Sequence, residues 1–143
     1  MTDIEMQQRI DALSMDEWQK LFALLPAMKS PEGGSYGSVE VKEYSDGSRS
    51  FPYTNHAKIV NQFIDRVYEM DIVMPFDWGH WEEGRRILKT ENFDFSSLDM
   101  LTLCKLITAI VRADRFNDGF LLGCFKDGTF ISIVEAMQVQ KTK

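Results

Sequence analysis

The chain has 143 residues and a mass of 16.5 kDa, the size of one domain. Its composition, with 44% hydrophobic, 12% aromatic and 27% charged residues, excludes disordered, collagen-like and disulfide-scaffold proteins. The net charge of -6, from 16 Lys and Arg against 22 Asp and Glu, argues against a broad phosphate-binding surface.

Membrane and export signals are weak in this sequence. The longest apolar stretch, Met100 to Val111, is interrupted by Lys105 and is too short to span a bilayer. The first residues lack the basic region and apolar run of a signal peptide. In such a chain, Cys104 and Cys124 are expected to be reduced thiols, so we predict a cytoplasmic location.

Two short helices are predicted within residues 1–28. Thr2 with Glu5, and Ser14 with Glu17, have the spacing at which hydroxyl and carboxylate cap a helix start. Apolar residues then recur at helical spacing: Ile4, Ile10 and Leu13, followed by Trp18, Leu21, Phe22 and Leu25. Pro26 is expected to end or bend the second helix.

Residues 29–53 are predicted to form a loop and a hairpin instead of helices. Residues 29–37 are rich in glycine, serine and proline, which predicts a flexible loop. Residues 38–53 are predicted to form a small β-hairpin, with strands over 38–44 and 48–53 joined by a two-residue turn at Asp46-Gly47. Pro52 marks the second strand as an edge strand.

Residues 54–143 are predicted to form the helical core. Asn55, Asp77 and Asp99 are placed to cap the third, fourth and fifth helices. The fifth helix, residues 100–111, is apolar except for a narrow line of Thr102, Lys105, Thr108 and Arg112, so we expect it to be buried at the centre. Two more helices, over 117–126 and 129–139, are separated by Asp127-Gly128. The expected fold is mainly α, a compact single-domain bundle of about six or seven helices.

Three pieces of sequence carry a family resemblance: Phe51-Pro52-Tyr53, then Phe76-Asp77-Trp78 with Trp81, and residues 108–116 with Gly119. With them, residues 51–139 resemble a family of small bacterial proteins known as domain of unknown function 6508. The resemblance implies a compact, mainly helical domain. It implies no activity.

Arg112, Asp114 and Arg115 follow the predicted central helix and permit two interpretations. In the structural one, Asp114 pairs with one arginine and locks the turn, while the other arginine caps carbonyls or meets a carboxylate. In the functional one, an arginine anchors an anion in a pocket lined by aromatic side chains: Trp78, Trp81 and Phe116. We expect Trp78 to be a core residue, and Trp81 fits the core and an interface equally well.

Catalytic and metal-binding signatures are weak. Asp77, His80 and Glu83 cannot converge easily on one ion from a single helix, so we predict no metal site and no cofactor. Nucleotide-binding loops, nucleophile elbows and dinucleotide fingerprints are absent from the sequence. Cys104 and Cys124 have apolar neighbours and no base placed beside them by the sequence.

We therefore predict a non-enzymatic binding protein whose partner is another protein, with no membrane or direct nucleic-acid binding. The predicted site comprises Trp81, Arg112, Asp114, Arg115 and Phe116. The net charge favours a basic partner surface. One alternative is a small enzyme in which an arginine holds an anionic substrate and Asp114 or Glu82 acts as acid or base. A weaker alternative is an acidic inhibitor from a phage or mobile element that mimics nucleic acid.

Overall fold

Helices and one small antiparallel sheet make up the computed structural model, which describes residues 1–51, 53–117 and 119–143. The N-terminal helices are α1 (Asp3–Asp11), α2 (Met15–Phe22) and α3 (Leu25–Lys29), and the sheet pairs β1 (Gly37–Glu40) with β2 (Tyr53–His56). The remaining helices are α4 (Lys58–Glu69), α5 (Glu82–Lys89), α6 (Met100–Ala113), α7 (Phe120–Lys126) and α8 (Thr129–Lys141). The predicted class, mainly helical with a small hairpin, is confirmed.

Side chains cap three of these helices as predicted. In α1, the Thr2 hydroxyl accepts from the Glu5 amide at 3.1 Å and the Glu5 carboxylate accepts from the Thr2 amide at 3.2 Å. Ser14 caps α2 through the Glu17 amide. Asp99 caps α6 by accepting from the Thr102 amide at 2.8 Å. Each cap satisfies a backbone donor that the helix cannot pair internally, so the start of the helix is encoded locally.

The hydrophobic core surrounds α6. This helix contacts α1, α5, α7 and α8, and five of its apolar side chains have no exposed surface: Leu103, Cys104, Leu106, Ile107 and Ile110. Phe63 of α4 packs against Phe125 at 5.4 Å and against Phe130 at 4.8 Å between ring centroids. Each such fully buried side chain contributes about 1.5–3 kcal/mol. The predicted central helix is therefore buried, with α1, α5, α7 and α8 packed on it, while α2 and α3 pack on α4 and α8.

Thr108 of α6 departs from the predicted polar line. Its side chain is fully buried, and the hydroxyl accepts from the Met74 amide at 3.1 Å. The same oxygen lies 3.0 Å from the Ile72 carbonyl and 3.1 Å from the carbonyl of Cys104, either of which can accept its proton. Residues 72–74 lack regular structure, so their backbone groups need such a partner. Thr108 thereby attaches the segment after α4 to the central helix.

The hairpin differs from its prediction at the turn. Gly47 donates its amide to the Tyr44 carbonyl at 3.0 Å with φ +87°, and Tyr44 donates to the Ser48 carbonyl at 2.8 Å. The loop therefore has three residues, Ser45 to Gly47, and the predicted two-residue turn is wrong. A type I turn followed by a left-handed glycine is the other common way to close a hairpin, and Gly47 fits it.

The strands also differ from the predicted ranges 38–44 and 48–53, because regular pairing covers 37–40 and 53–56 and an isolated bridge joins Glu43 and Arg49 nearer the turn. Gly37 pairs with His56 and Glu40 pairs with Tyr53, so Asn55 belongs to β2 and does not cap a helix. Helix α4 instead begins after Ala57 without a side-chain cap. The prediction that Asn55 caps a helix is therefore wrong, because Asn55 lies in β2 and pairs with Ser38 of β1. The prediction for Pro52 lies outside the described residues.

Among the described residues, no helix combines the length and the apolar content that crossing a membrane requires.

Candidate functional site

The segment that carries the two tryptophans is not one helix. Residues Trp78–His80 form a single 3-10 turn, Trp81 is non-helical with φ -84° and ψ 89°, and α5 begins only at Glu82. The predicted helix capped by Asp77 is therefore wrong. The Asp77 carboxylate instead accepts from Nδ1 of His80 at 2.9 Å. Because the backbone changes direction at Trp81, the two indole rings do not share a helical face.

Trp81 packs against the core. Its ring meets Phe76 edge to face at 5.5 Å and covers Gly84, where a Cβ atom would come within 2.2 Å of the indole. The Lys105 ammonium lies 4.7 Å from the Trp81 ring and 4.9 Å from the Phe76 ring, and it pairs with Asp3 at 3.5 Å. The two rings thus hold a cation from the protein's own central helix.

Trp78 has a different aromatic neighbour. It is half-buried, as Trp81 is, but its ring packs against Phe116, with 6.1 Å between the ring centroids and 36° between the planes. Phe116 is 83% exposed. The prediction that Trp78 belongs to the core is therefore wrong, because the 3-10 turn directs it toward the turn after α6. Trp78 and Phe116 form an aromatic pair at the surface.

Arg112 and Arg115 lie beside this aromatic pair. With Met74, Pro75, Phe76, Trp78 and Phe116 they line a groove of about 380 Å³. We call these seven residues the Trp78–Phe116 surface. Arg112 is half-buried in the last turn of α6 and Arg115 is exposed. Neither guanidinium forms an ion pair or a side-chain hydrogen bond within the described part of the chain.

Asp114 performs a different task from the one predicted. Its Oδ1 accepts from the Leu121 amide at 3.0 Å, and so it caps α7 from across the turn. Gly119, with φ +88°, lets the chain enter α7, because a left-handed backbone favours glycine. The predicted ion pair between Asp114 and an arginine does not occur among the residues described. Asp114 is thus a structural member of the motif.

A second groove shares Trp78 with the first. It has a volume of about 240 Å³, and its lining includes Trp78, Trp81, Arg85, Ala109, Ala113 and Phe120. Reasoning from sequence missed this groove. The available signal was the pair of alanines at Ala109 and Ala113, four residues apart and hence on one face of α6, where small side chains leave space.

The structure also shows the surroundings of the two cysteines and of Glu82, the other candidates for chemistry in the sequence. Cys104 and Cys124 are unpaired and buried, and burial raises the pKa of each thiol to about 12. Both thiols therefore stay protonated and unreactive at neutral pH. Glu82 is exposed in the first turn of α5. In the described ranges, no three potential metal ligands cluster.

Comparisons with known proteins give one relationship. No curated protein and no solved structure matches the chain. A family model described as "Family of unknown function (DUF6508)" matches residues 13–143, which adds α2, α3 and β1 to the region of predicted resemblance. The chain therefore belongs to this family of unknown function.

Proposed function

We propose that this protein binds another protein through the Trp78–Phe116 surface. The observation that carries the proposal is the turn after α6. Two of its residues have structural tasks, since Asp114 caps α7 and Gly119 supplies the left-handed backbone. Arg115 and Phe116 are exposed, and within the described part of the chain Arg115 has no ion pair or side-chain hydrogen bond and the ring contact of Phe116 is with Trp78.

The chemistry of the surface suits protein recognition. Tryptophan and arginine are the residues most enriched among those that dominate binding energy at interfaces. A single exposed phenylalanine is ordinary, but here Phe116 adjoins Trp78, Pro75 and an apolar groove. A partner side chain entering this groove would remove apolar surface from water while the arginines held its polar neighbours.

The charge of the groove favours a partner that carries carboxylates. The net charge of -6 suggested a basic partner surface, yet the two ionised groups of the Trp78–Phe116 surface are both arginines. Contacts at an interface respond to local charge, and a guanidinium can donate two parallel hydrogen bonds to one carboxylate. Arg112 and Arg115 are free for such bonds within the part of the chain described.

We place this binding in the cytoplasm. The support is the pair of unpaired cysteines, Cys104 and Cys124, which is usual where thiols are kept reduced. Fractionation of cells that express the tagged protein tests the location, and accumulation outside the cytoplasm would contradict it.

Affinity capture with matched variants tests the proposed function. Wild type, Arg115→Ala and Phe116→Ala are immobilised, and proteins captured from cell extract are quantified by mass spectrometry. We expect a partner that is captured by the wild type and reduced at least about tenfold by either variant, a loss of roughly 1.4 kcal/mol in binding. Binding of the purified partner is then measured by calorimetry.

Two control variants make the experiment specific. Phe51→Ala removes a phenylalanine that is 92% exposed, and Arg86→Ala removes an exposed arginine of α5 that does not line either groove. Both are expected to capture the partner as the wild type does. If all four variants capture the same proteins as the wild type, the Trp78–Phe116 surface is not the binding site.

A further inference from the structure

The second groove adjoins the proposed binding surface at Trp78. Trp78 lines both grooves, so a peptide bound in the first groove is next to the second. The floor of the second groove includes Ala109 and Ala113, one helical turn apart on α6. Phe120 and Leu88 are apolar walls. The space accepts an apolar side chain.

Cations border both grooves. Arg112 and Arg115 line the first, and Arg85 and Lys89, one turn apart in α5, line the second. Arg85 is fixed over the 3-10 turn by donating to the Gly79 carbonyl at 2.7 Å. Within the described parts of the chain, no aspartate or glutamate lines either groove. The charged side chains that line the two grooves are therefore all cations, on a chain with net charge -6.

We propose that the two grooves form one site for an acidic segment of a partner protein. This inference rests on the proposed function and names its ligand. The segment places one apolar side chain in each groove, and its carboxylates meet the four cations. Apolar grooves give affinity and specificity to the anchors, while the cations select acidic flanks.

The same observations favour a peptide over a nucleic acid. Both grooves are lined mainly by apolar and aromatic side chains, which suit aliphatic anchors better than a phosphate backbone. A polyanion would also be repelled by the 22 acidic residues of the chain, whereas a short segment brings only a few carboxylates.

Selection from a library of displayed random peptides, each of about twelve residues, tests the ligand class on the folded full-length chain. We expect enriched peptides to contain two apolar residues flanked by Asp or Glu. A synthetic copy of an enriched peptide is then titrated by fluorescence anisotropy against the wild type and Ala113→Leu, which fills the second groove. We expect the affinity to fall about tenfold or more, equivalent to roughly 1.4 kcal/mol.

Controls separate the second groove from general effects of the substitution. Ala27→Leu adds the same bulk at an exposed position of α3 and is expected to leave the affinity unchanged. Lys89→Glu reverses a charge at the groove without adding bulk, so it tests the site even if Ala113→Leu fails to fold. When one apolar anchor of the peptide is replaced by alanine, its affinity is expected to stop depending on substitutions in the groove that held that anchor.

The outcomes distinguish this inference from the proposed function. If peptides lose binding with Arg115→Ala but keep full affinity for Ala113→Leu and Lys89→Glu, the first groove binds alone and the two-groove site is wrong. If nothing is enriched, the acidic-segment inference is wrong and the proposed function is decided by the capture experiment. If enriched peptides bind Arg115→Ala and Phe116→Ala as tightly as the wild type, and the captured partner does so too, both proposals are wrong. Tighter binding of a single-stranded oligonucleotide of similar length at these grooves would overturn the peptide class.

Discussion

Two aromatic pairs lie close together in this protein and have opposite surroundings. Phe76 and Trp81 enclose Lys105, which is only 14% exposed and also pairs with Asp3. Trp78 and Phe116 stand beside Arg112 and Arg115, for which the described residues supply no ionic partner. The first pair holds a cation of the protein's own, although Phe76 also lines the first groove and Trp81 the second. The second pair leaves aromatic and cationic groups at the surface.

The comparison separates residues that hold the protein together from residues that are available to a partner. A cation between two rings, over a glycine that gives the indole room, is a packed unit whose loss lowers stability. Exposed arginines and a phenylalanine contribute little to folding. Similar residue types three positions apart thus have different consequences when they are mutated.

The largest expected effect on stability is the difference between alanine variants of the two tryptophans. Trp81→Ala is expected to lower the free energy of unfolding by about 2–4 kcal/mol, because it empties the space over Gly84 and removes a ring from Lys105. Trp78→Ala is expected to cost about 1 kcal/mol or less, since its ring contacts the exposed Phe116. Urea unfolding measures both. Equal losses would contradict the distinction between the pairs.

Thr108 supports both aromatic pairs, because it holds the segment that leads to Phe76 and Trp78. Thr108→Val keeps the shape but removes the acceptor of the buried Met74 amide, and we expect a loss of about 1–3 kcal/mol. Thr108→Ser retains the hydroxyl and serves as the control. Calorimetric unfolding is expected to rank wild type above serine and serine above valine. A valine variant more stable than the serine variant would show that the hydroxyl is dispensable.

Substitutions of Asp114 test whether this residue stabilises the turn beside Trp78 and Phe116. Asp114→Ala removes the acceptor for the Leu121 amide and is expected to cost about 1 kcal/mol, the usual value of a helix cap. Asp114→Asn keeps an oxygen and is expected to lose less. Hydrogen exchange at the Leu121 amide, measured by NMR, is expected to accelerate most in the alanine variant. Unchanged exchange in that variant would assign the cap to another group.

The smallest expected effects on stability come from substitutions of the cations Lys105 and Arg115. Lys105→Met and Arg115→Met each remove one positive charge and keep an apolar stem. We expect the lysine variant to lose about 1 kcal/mol and the arginine variant to stay within about 0.5 kcal/mol of the wild type. Thermal unfolding at low ionic strength makes the difference easiest to measure, because salt screens the ion pair of Lys105. A larger loss for Arg115→Met would show that Arg115 has a structural task.

The helical class, the buried central helix and several helix starts are predictable from local sequence. These features depend on local spacing, as with the hydroxyl of Thr2 and the carboxylate of Asp99, or on apolar periodicity, as in α6. The motif of Arg112 to Phe116 was also identified from the sequence, together with its family.

Which residues of the motif at 112–116 form structural hydrogen bonds, and which remain available to a partner, depends on tertiary contacts. Asp114 binds an amide seven residues away, and Thr108 is buried because a segment more than thirty residues distant needs its hydroxyl. The two tryptophans differ because the 3-10 turn redirects the chain between them. The functional interpretation brought Trp78, Trp81 and Phe116 together beside an arginine, and the first groove contains two of these three rings. Local periodicity gives no information about partners brought together by folding, so the different neighbours of Trp78 and Trp81 and the second groove could not be predicted.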